Sequence, residues 1–195
     1  MPDFSPFMYY LIGINLLGFV LYIINMLLYR YTEEGQIDAV LTIVCLAFGS
    51  AGMLIAILLF DRKPLKENMM SRVFIACIFV TELIVLLFFK GYHGDTVNMA
   101  FASFFSEHQI LLIYLSIINI IAFIAFGIDK LNAIAGRSRI RIITLLGIAF
   151  VGGSIGALIA MYAFRHKTRK DYFTVGIPLM IIMQIALIFF VMNNI

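Results

Sequence analysis

Long apolar runs alternate with short charged clusters along the whole chain. The runs, charge-free or nearly so, cover residues 7–29, 38–60, 73–89, 109–128, 142–164 and 174–192. Each holds about 17–24 residues, the length a helix needs to cross a hydrocarbon core of about 30 Å. The pattern predicts an all-α membrane protein of six transmembrane helices. The first run lacks the basic start and the small-residue cleavage site of a signal peptide, so it reads as a permanent span.

The polar clusters between the runs differ. Residues 30–37 lean acidic, with Glu33 and Glu34. Residues 61–72 are basic, with Arg62, Lys63, Lys66 and Arg72. Residues 90–108 form the longest connection and hold His93, Asp95, Glu107 and His108. Residues 129–141 are basic again, with Lys130, Arg137, Arg139 and Arg141. Residues 165–171 read Arg-His-Lys-Thr-Arg-Lys-Asp, the densest charge run.

A shift of about 104 residues lays the chain on itself without a gap. Gly49, Ser50, Gly52, Phe60, Lys63 and Lys66 then meet Gly153, Ser154, Gly156, Phe164, Lys167 and Lys170. Upstream, Tyr10, Asn15 and Phe19 meet Tyr114, Asn119 and Phe123, and Asn25 meets Asp129. Apolar helices match by chance at Leu and Ile, but not at Gly-Ser-x-Gly, Asn and paired Lys in register. The expected organisation is a first three-helix repeat at 1–90, a connecting loop at 91–108 and a second repeat at 109–195. Three spans per repeat is an odd number, so full spans would give the two repeats inverted topology and put both termini on one side. With the termini inside, the Lys and Arg bias between sides is weak, and it favours a cytoplasmic placement of the termini only slightly. The alternative is a re-entrant fifth run, broken at Gly152-Gly153, which would bring the basic clusters on either side of it to one face.

Composition fits the membrane reading. The chain has 195 residues, of which 63% are hydrophobic and 13% charged, and its mean hydropathy is +1.05. That leaves too few polar groups to cover a soluble domain. The net charge of +3 suits anionic lipid headgroups. No extramembrane part is large enough to make nucleic-acid binding a main role. Cys45 and Cys77 lie inside apolar runs and read as small buried hydrophobes. With no Trp in the chain, Tyr, Lys and Arg must anchor the interfaces.

The candidate chemistry falls into two groups. Asn15, Glu82 and Asn119 are polar residues within apolar runs, flanked by the Gly-Ser-x-Gly segments of Gly49, Ser50, Gly52, Gly153, Ser154 and Gly156. Small residues allow close helix packing, or a locally opened helix lining a solute path. Asn15 and Asn119 would find partners by pairing near a pseudo-axis. A carboxylate at Glu82 costs about 2.5–3.5 kcal/mol on insertion scales and faces a partner or cavity, which suits proton coupling. Its mate in the repeat is Ala186, and Gln184 is a candidate partner. The second group is Asp129, Lys130, Arg165, His166, Lys167 and Lys170, a candidate phosphate or anion site in which His166 would move protons. It assembles only if Asp129 and His166 reach the same face, which the re-entrant path provides and six full spans forbid. His93, Asp95, Glu107 and His108 lack metal-ligand spacing, and neither a metal nor a cofactor is expected.

The second half resembles a known family. Gly127-Ile128-Asp129-Lys130, Arg139-Ile140, Gly152-Gly153-Ser154-x-Gly156, Arg165-His166-Lys167-Thr168-x-Lys170 and Phe173 resemble the bacterial membrane family called domain of unknown function 1294. The resemblance covers about the last 85 residues in ordered motifs. The first half resembles the family only through its match to the second. The chain departs where the family often has Pro-Glu after Arg-Ile, since Arg141-Ile142 follow here. In the first half Asn25 replaces the Asp, Met26 the Lys and Arg62 the His. The resemblance implies membership and no activity. The leading expectation of function is a small transporter or channel-like protein for ions, small polar solutes or lipids. The alternative is a membrane-embedded enzyme or binding protein acting on phosphate-bearing lipids through the basic loop. A passive assembly partner and a homo-oligomer both remain open, and a bacterial cytoplasmic membrane is the expected location.

Overall fold

The structure is a computed structural model that describes residues 5–31, 38–62, 68–91 and 99–194. The described residues form helices and no strands. Six segments are long and apolar enough to cross a membrane: Pro6–Tyr31, Ala39–Phe60, Met69–Phe89, Gln109–Ile134, Ile142–Ala163 and Asp171–Met192. Outward positions along them are mostly Ile, Leu, Phe and Val, with Tyr at several, as a lipid-facing surface requires. The chain divides into two compact units, Met1–Val85 and Leu86–Ile195.

The first unit contains α1 (Pro6–Tyr31), α2 (Asp38–Val44), α3 (Ser50–Phe60) and most of α4 (Met69–Phe89). The second contains α5 (Phe101–Glu107), α6 (Gln109–Ile134), α7 (Ile142–Ile148), α8 (Ser154–Ala163), α9 (Asp171–Thr174) and α10 (Gly176–Met192). A wide turn, Cys45–Gly49, joins α2 to α3, and its counterpart Ala149–Gly153 joins α7 to α8. Each turn contains a residue in a left-handed conformation. Gly152 has φ 131°, and Phe48, which matches it in the repeat register, has φ 70°. Glycine takes this conformation without steric cost, whereas Phe48 gives up roughly 1–2 kcal/mol.

The fifth segment therefore follows the re-entrant path. The Asp129 carboxylate accepts a hydrogen bond from the Ile140 N–H, just before α7. It also meets His166 and Lys167, just after α8. An unbroken helix of that length would hold its ends about 33 Å apart. One carboxylate touches both flanks, so α7 and α8 double back. Neither half, at roughly 10–15 Å, is long enough to cross alone.

The second segment is folded the same way. The Gly52 N–H at the start of α3 donates to Asn15, early in α1, and Arg30 at the end of α1 reaches Asp61, just past α3. So α3 runs parallel to α1. Extending α3 straight back to Asp38 would place that residue roughly 40 Å from Tyr31, beyond the reach of about 25 Å that the intervening chain allows. Hence α2 turns back, and Leu41 and Val44 pack in one cluster with Tyr22, Met53, Ala56 and Ile57.

Both hairpins lie tightly against the first long helix of their own unit. A Cβ on Gly52 would overlap the Asn15 carbonyl, and one on Gly156 would overlap the Asn119 carbonyl. In the second unit the buried core is built from Ala122, Phe126, Leu145, Ala157, Met161, Phe173 and Met180.

Two predictions follow from this geometry. Single cysteines at Ser138 and Arg169, in a background lacking Cys45 and Cys77, should react with an impermeant maleimide from the same side of the membrane. Labelling from opposite sides would refute the hairpin. Gly156→Ala and Gly52→Ala should each lower unfolding stability in detergent by roughly 1–3 kcal/mol, measured by denaturant titration. Gly13→Ala, with no atom near the new methyl, should leave it nearly unchanged.

Candidate functional site

Breaking a helix inside a membrane leaves backbone N–H and C=O groups that water cannot satisfy. In each unit one asparagine answers for them. Asn119 Nδ2 donates to the carbonyls of Leu115 and Gly152, at 2.7 and 2.9 Å. Its Oδ1 accepts from the Gly156 N–H at 2.7 Å. Asn15 repeats this with Leu11 (2.8 Å), Phe48 (2.9 Å) and Gly52 (2.8 Å). The tyrosine one and a half turns earlier adds a bond to the same tip, Tyr114 to the Val151 carbonyl and Tyr10 to the Ala47 carbonyl. Asn15 and Asn119 thus find their partners within their own units, which corrects the expectation that they pair with one another.

The serine of each Gly-Ser-x-Gly segment ties its hairpin to the last long helix of its unit. Ser50 donates to Glu82 in α4, and Ser154 donates to Gln184 in α10. Glu82 therefore has Gln184 as its structural counterpart, not Ala186. The linear register slips by two residues because the polar segment before the last helix is shorter in the second unit. Gln184 also donates to the carbonyls of Ala149 and Phe150, so its bonds lie within its own hairpin and not on Glu82. Gly49 and Gly153 sit at the close approach to the first helix, where a Cβ would meet the carbonyls of Ile14 and Ile118.

At the opposite end of the second unit lies the charged cluster. The α8 helix ends in a Schellman closure, with the Arg165 N–H donating to the Tyr162 carbonyl and the His166 N–H to Met161. Glycine usually occupies the left-handed position of such a closure. Here Arg165 occupies it at φ 44°, and Lys167 follows at φ 63°. Two strained non-glycine residues in so short a stretch mark a backbone held in place by its contacts. The turn folds His166 and Lys167 back onto Asp129. His166 Nε2 is 2.7 Å and Lys167 Nζ 2.8 Å from Asp129 Oδ2. Asp129 is fully buried, and the two basic side chains are only 12% and 14% exposed.

The Lys167 ammonium sits 4.8 Å from the centre of the Phe173 ring. Burial holds its pKa below the ordinary lysine value, while Asp129 pulls the other way and Arg139 adds a further repulsion. Facing a carboxylate, His166 Nε2 acts as the donor. In the neutral ring this leaves Nδ1 as a proton acceptor, the orientation by which a carboxylate prepares a histidine for acid–base work. Arg165, Arg139 and Lys170 are exposed and Lys130 is half-buried at the same end. Among the described contacts the side chains of Lys130 and Lys170 do not reach Asp129.

The first unit has a buried carboxylate at its corresponding end, which the sequence reading overlooked. Asp61 accepts from Tyr22 (2.9 Å) and Asn68 (2.7 Å) and pairs with Arg30 (3.5 Å) and Arg72 (3.3 Å). In the 104-residue register Asp61 aligns with Arg165 and Asn25 with Asp129, so the two buried carboxylates stand at non-matching positions. The available signal was an acid directly after an apolar run and next to a basic cluster. Lys63, Lys66, His93 and Asp95 lie outside the described residues. His108 Nδ1 is 3.0 Å from the Phe104 carbonyl, and its ring stacks on that of Phe104. Cys45 and Cys77 are free and buried.

Comparison with known proteins agrees with the motifs. The family model described as "Protein of unknown function (DUF1294)" matches residues 119–173. That stretch begins at Asn119 and ends at Phe173, taking in the hairpin and the charged cluster. "Uncharacterized protein YsdA" of Bacillus subtilis (strain 168) is 39% identical over 80 residues, covering 41% of this chain and 90% of the relative. No solved structure matches. The chain belongs to the DUF1294 family.

Removing Asp129 leaves two buried bases without their counter-charge. Asp129→Ala should cost roughly 3–5 kcal/mol of unfolding stability, and Asp129→Asn less, because the amide keeps some of the bonds. Thermal unfolding of the purified variants in one detergent measures both.

Proposed function

We propose that the protein binds a phosphate-bearing anionic lipid headgroup at the basic end of its second unit, with the Asp129–His166 pair available for proton transfer to or from the bound group. The reading rests on the convergence of Asp129, His166 and Lys167, which the sequence separates by a whole apolar segment. Around them stand Lys130, Arg139, Arg165 and Lys170. Arg suits the planar, bidentate recognition of phosphate oxygens, and each base near an anionic surface contributes roughly 1 kcal/mol.

Orientation supports it. In the second unit every Lys and Arg except Lys90 flanks the hairpin at the Asp129 end. In the first unit Arg30 and Arg72 meet at Asp61, and Arg62, Lys63 and Lys66 lie in the segment between α3 and α4. For each unit by itself, the positive-inside rule assigns the basic end to the cytoplasm. Two crossings and a re-entrant hairpin make an even count, so the odd-count reason for inverted topology falls away. On this reading the first described residues of the first unit and the last of the second lie on the outer side, opposite to the weak preference drawn from six full spans. The matching bonds of Asn15 and Asn119 support descent of both units from one duplicated precursor.

Transport of an ion or small solute is the second reading. Its support is the non-helical backbone at Phe48 and Gly152 inside apolar segments, the kind of break that lines solute paths in transporters. The polar residues at those tips are Asn15, Glu82, Asn119 and Gln184.

Native mass spectrometry of the detergent-solubilised protein with phosphatidylglycerol and phosphatidylcholine tests the first reading. Phosphatidylglycerol should be retained preferentially, and Arg139→Ala, at an exposed position, should weaken its retention by roughly fivefold. Equal retention of the two lipids, or no effect of Arg139→Ala, would count against it.

A further inference from the structure

Glu82 and Gln184 hold matching places in the two units but bond to opposite kinds of group. Glu82 Oε1 accepts from the Phe48 N–H at 3.1 Å, and Oε2 accepts from the Ser50 hydroxyl. One donor lies in the turn that leads into α3 and the other is the first residue of α3. Gln184 likewise accepts from its serine, Ser154, but turns its Nε2 the other way. It donates to the carbonyls of Ala149 (2.8 Å) and Phe150 (3.0 Å), at the end of the descending arm. In the repeat register those carbonyls correspond to Cys45 and Leu46.

We propose that Glu82 is a proton-binding site within the membrane, and that its protonation changes how α4 holds the tip of the first hairpin. An ionised carboxylate has acceptors only, whereas the neutral acid has one O–H donor. Ionised, Glu82 caps the start of α3, where the helix dipole favours negative charge. Neutral, it has the donor that Gln184 uses, and by the register with Ala149 and Phe150 the carbonyls of Cys45 and Leu46 are the acceptors it would take. Gln184 is thus a permanently neutral copy of the protonated state. Both states of Glu82 satisfy its oxygens, which is what a two-state element inside a membrane requires. Among the described residues the titratable group that interacts with Glu82 is the Cys45 thiol, from the turn between α2 and α3. The Phe48 N–H and the Ser50 hydroxyl do not titrate, and Arg72 of α4 is engaged with Asp61.

Hydrogen exchange of the reconstituted full chain, followed by mass spectrometry over a pH series, tests this. The readout is the exchange rate of peptide 44–52 divided by that of peptide 148–156, which cancels the intrinsic pH dependence of exchange. In the wild type the ratio should rise by about fivefold on acidification, because the Phe48 N–H loses the carboxylate that protects it and one hydrogen bond commands about that factor. Glu82→Gln should hold it at the high, acid-side value at every pH. Gln184→Glu should make peptide 148–156 pH-responsive in turn, and this decides the matter even if Glu82→Gln fails to fold. A flat wild-type ratio, a slope that survives Glu82→Gln, or a pH-insensitive 148–156 peptide in Gln184→Glu would each overturn the proposal.

Discussion

The architecture depends on satisfying a broken backbone where there is no water. A helix that stops in mid-membrane leaves donors at one new end and acceptors at the other, each costing several kcal/mol if abandoned to hydrocarbon. Asn15 and Asn119 carry both functions on one amide, so each covers a freed carbonyl and a freed N–H at once. That needs the amide to lie within bonding distance of both arms. The same requirement forces glycine at Gly52 and Gly156, because any Cβ would hold the arm away from the first helix. The asparagine, the glycines and the left-handed turn are therefore one device.

What the device provides is a path. By turning back halfway, α7 and α8 return the chain to the side it left, and the residues after α8 come down beside those before α7. Only then can Asp129 accept from the Ile140 N–H and from His166 together. The left-handed backbone at Arg165 and Lys167 completes the approach, and the buried ion pairs compensate its strain. The charged end is thus a consequence of the tip, although they share no residue.

The six apolar segments were legible because the bilayer imposes a length, and so were the polar residues inside them, because each is costly there and needs a partner. The path of the second and fifth segments was not. Gly152-Gly153 reads equally as close packing or as a break, and Phe48 at the matching position reads as continuous helix. The decision lies in Asn119 and Tyr114, whose partners are carbonyls, and a carbonyl leaves no mark in a sequence. Asp61 was hidden for a related reason. An acid beside basic residues at the end of a run looks like solvated surface, and only packing shows it to be buried. Glu82 was noticed but matched with Ala186 in place of Gln184, because register counted along the chain ignores a two-residue difference in the preceding polar segment.

The two units solve the same electrostatic problem with the carboxylate in different places. Each gathers bases at the end where its hairpin returns, and a buried acid there pins the first long helix to the hairpin's exit. In the first unit the acid is on the exit, as Asp61, and arginines come to it from α1 and α4. In the second it is on the first helix, as Asp129, and the exit supplies His166 and Lys167. As anchors the two arrangements are equivalent, since either draws the same elements together. As chemistry they are not. Arginine keeps its proton, so the Asp61 cluster can only hold charge, whereas a histidine oriented by a carboxylate can exchange one. At the hairpin tips the exchangeable group belongs to the other unit, where Glu82 stands against Gln184. Each unit thus retains one group able to exchange a proton where its counterpart has a group that cannot. That division separates the parts common to both units, which hold the fold, from those left free for chemistry.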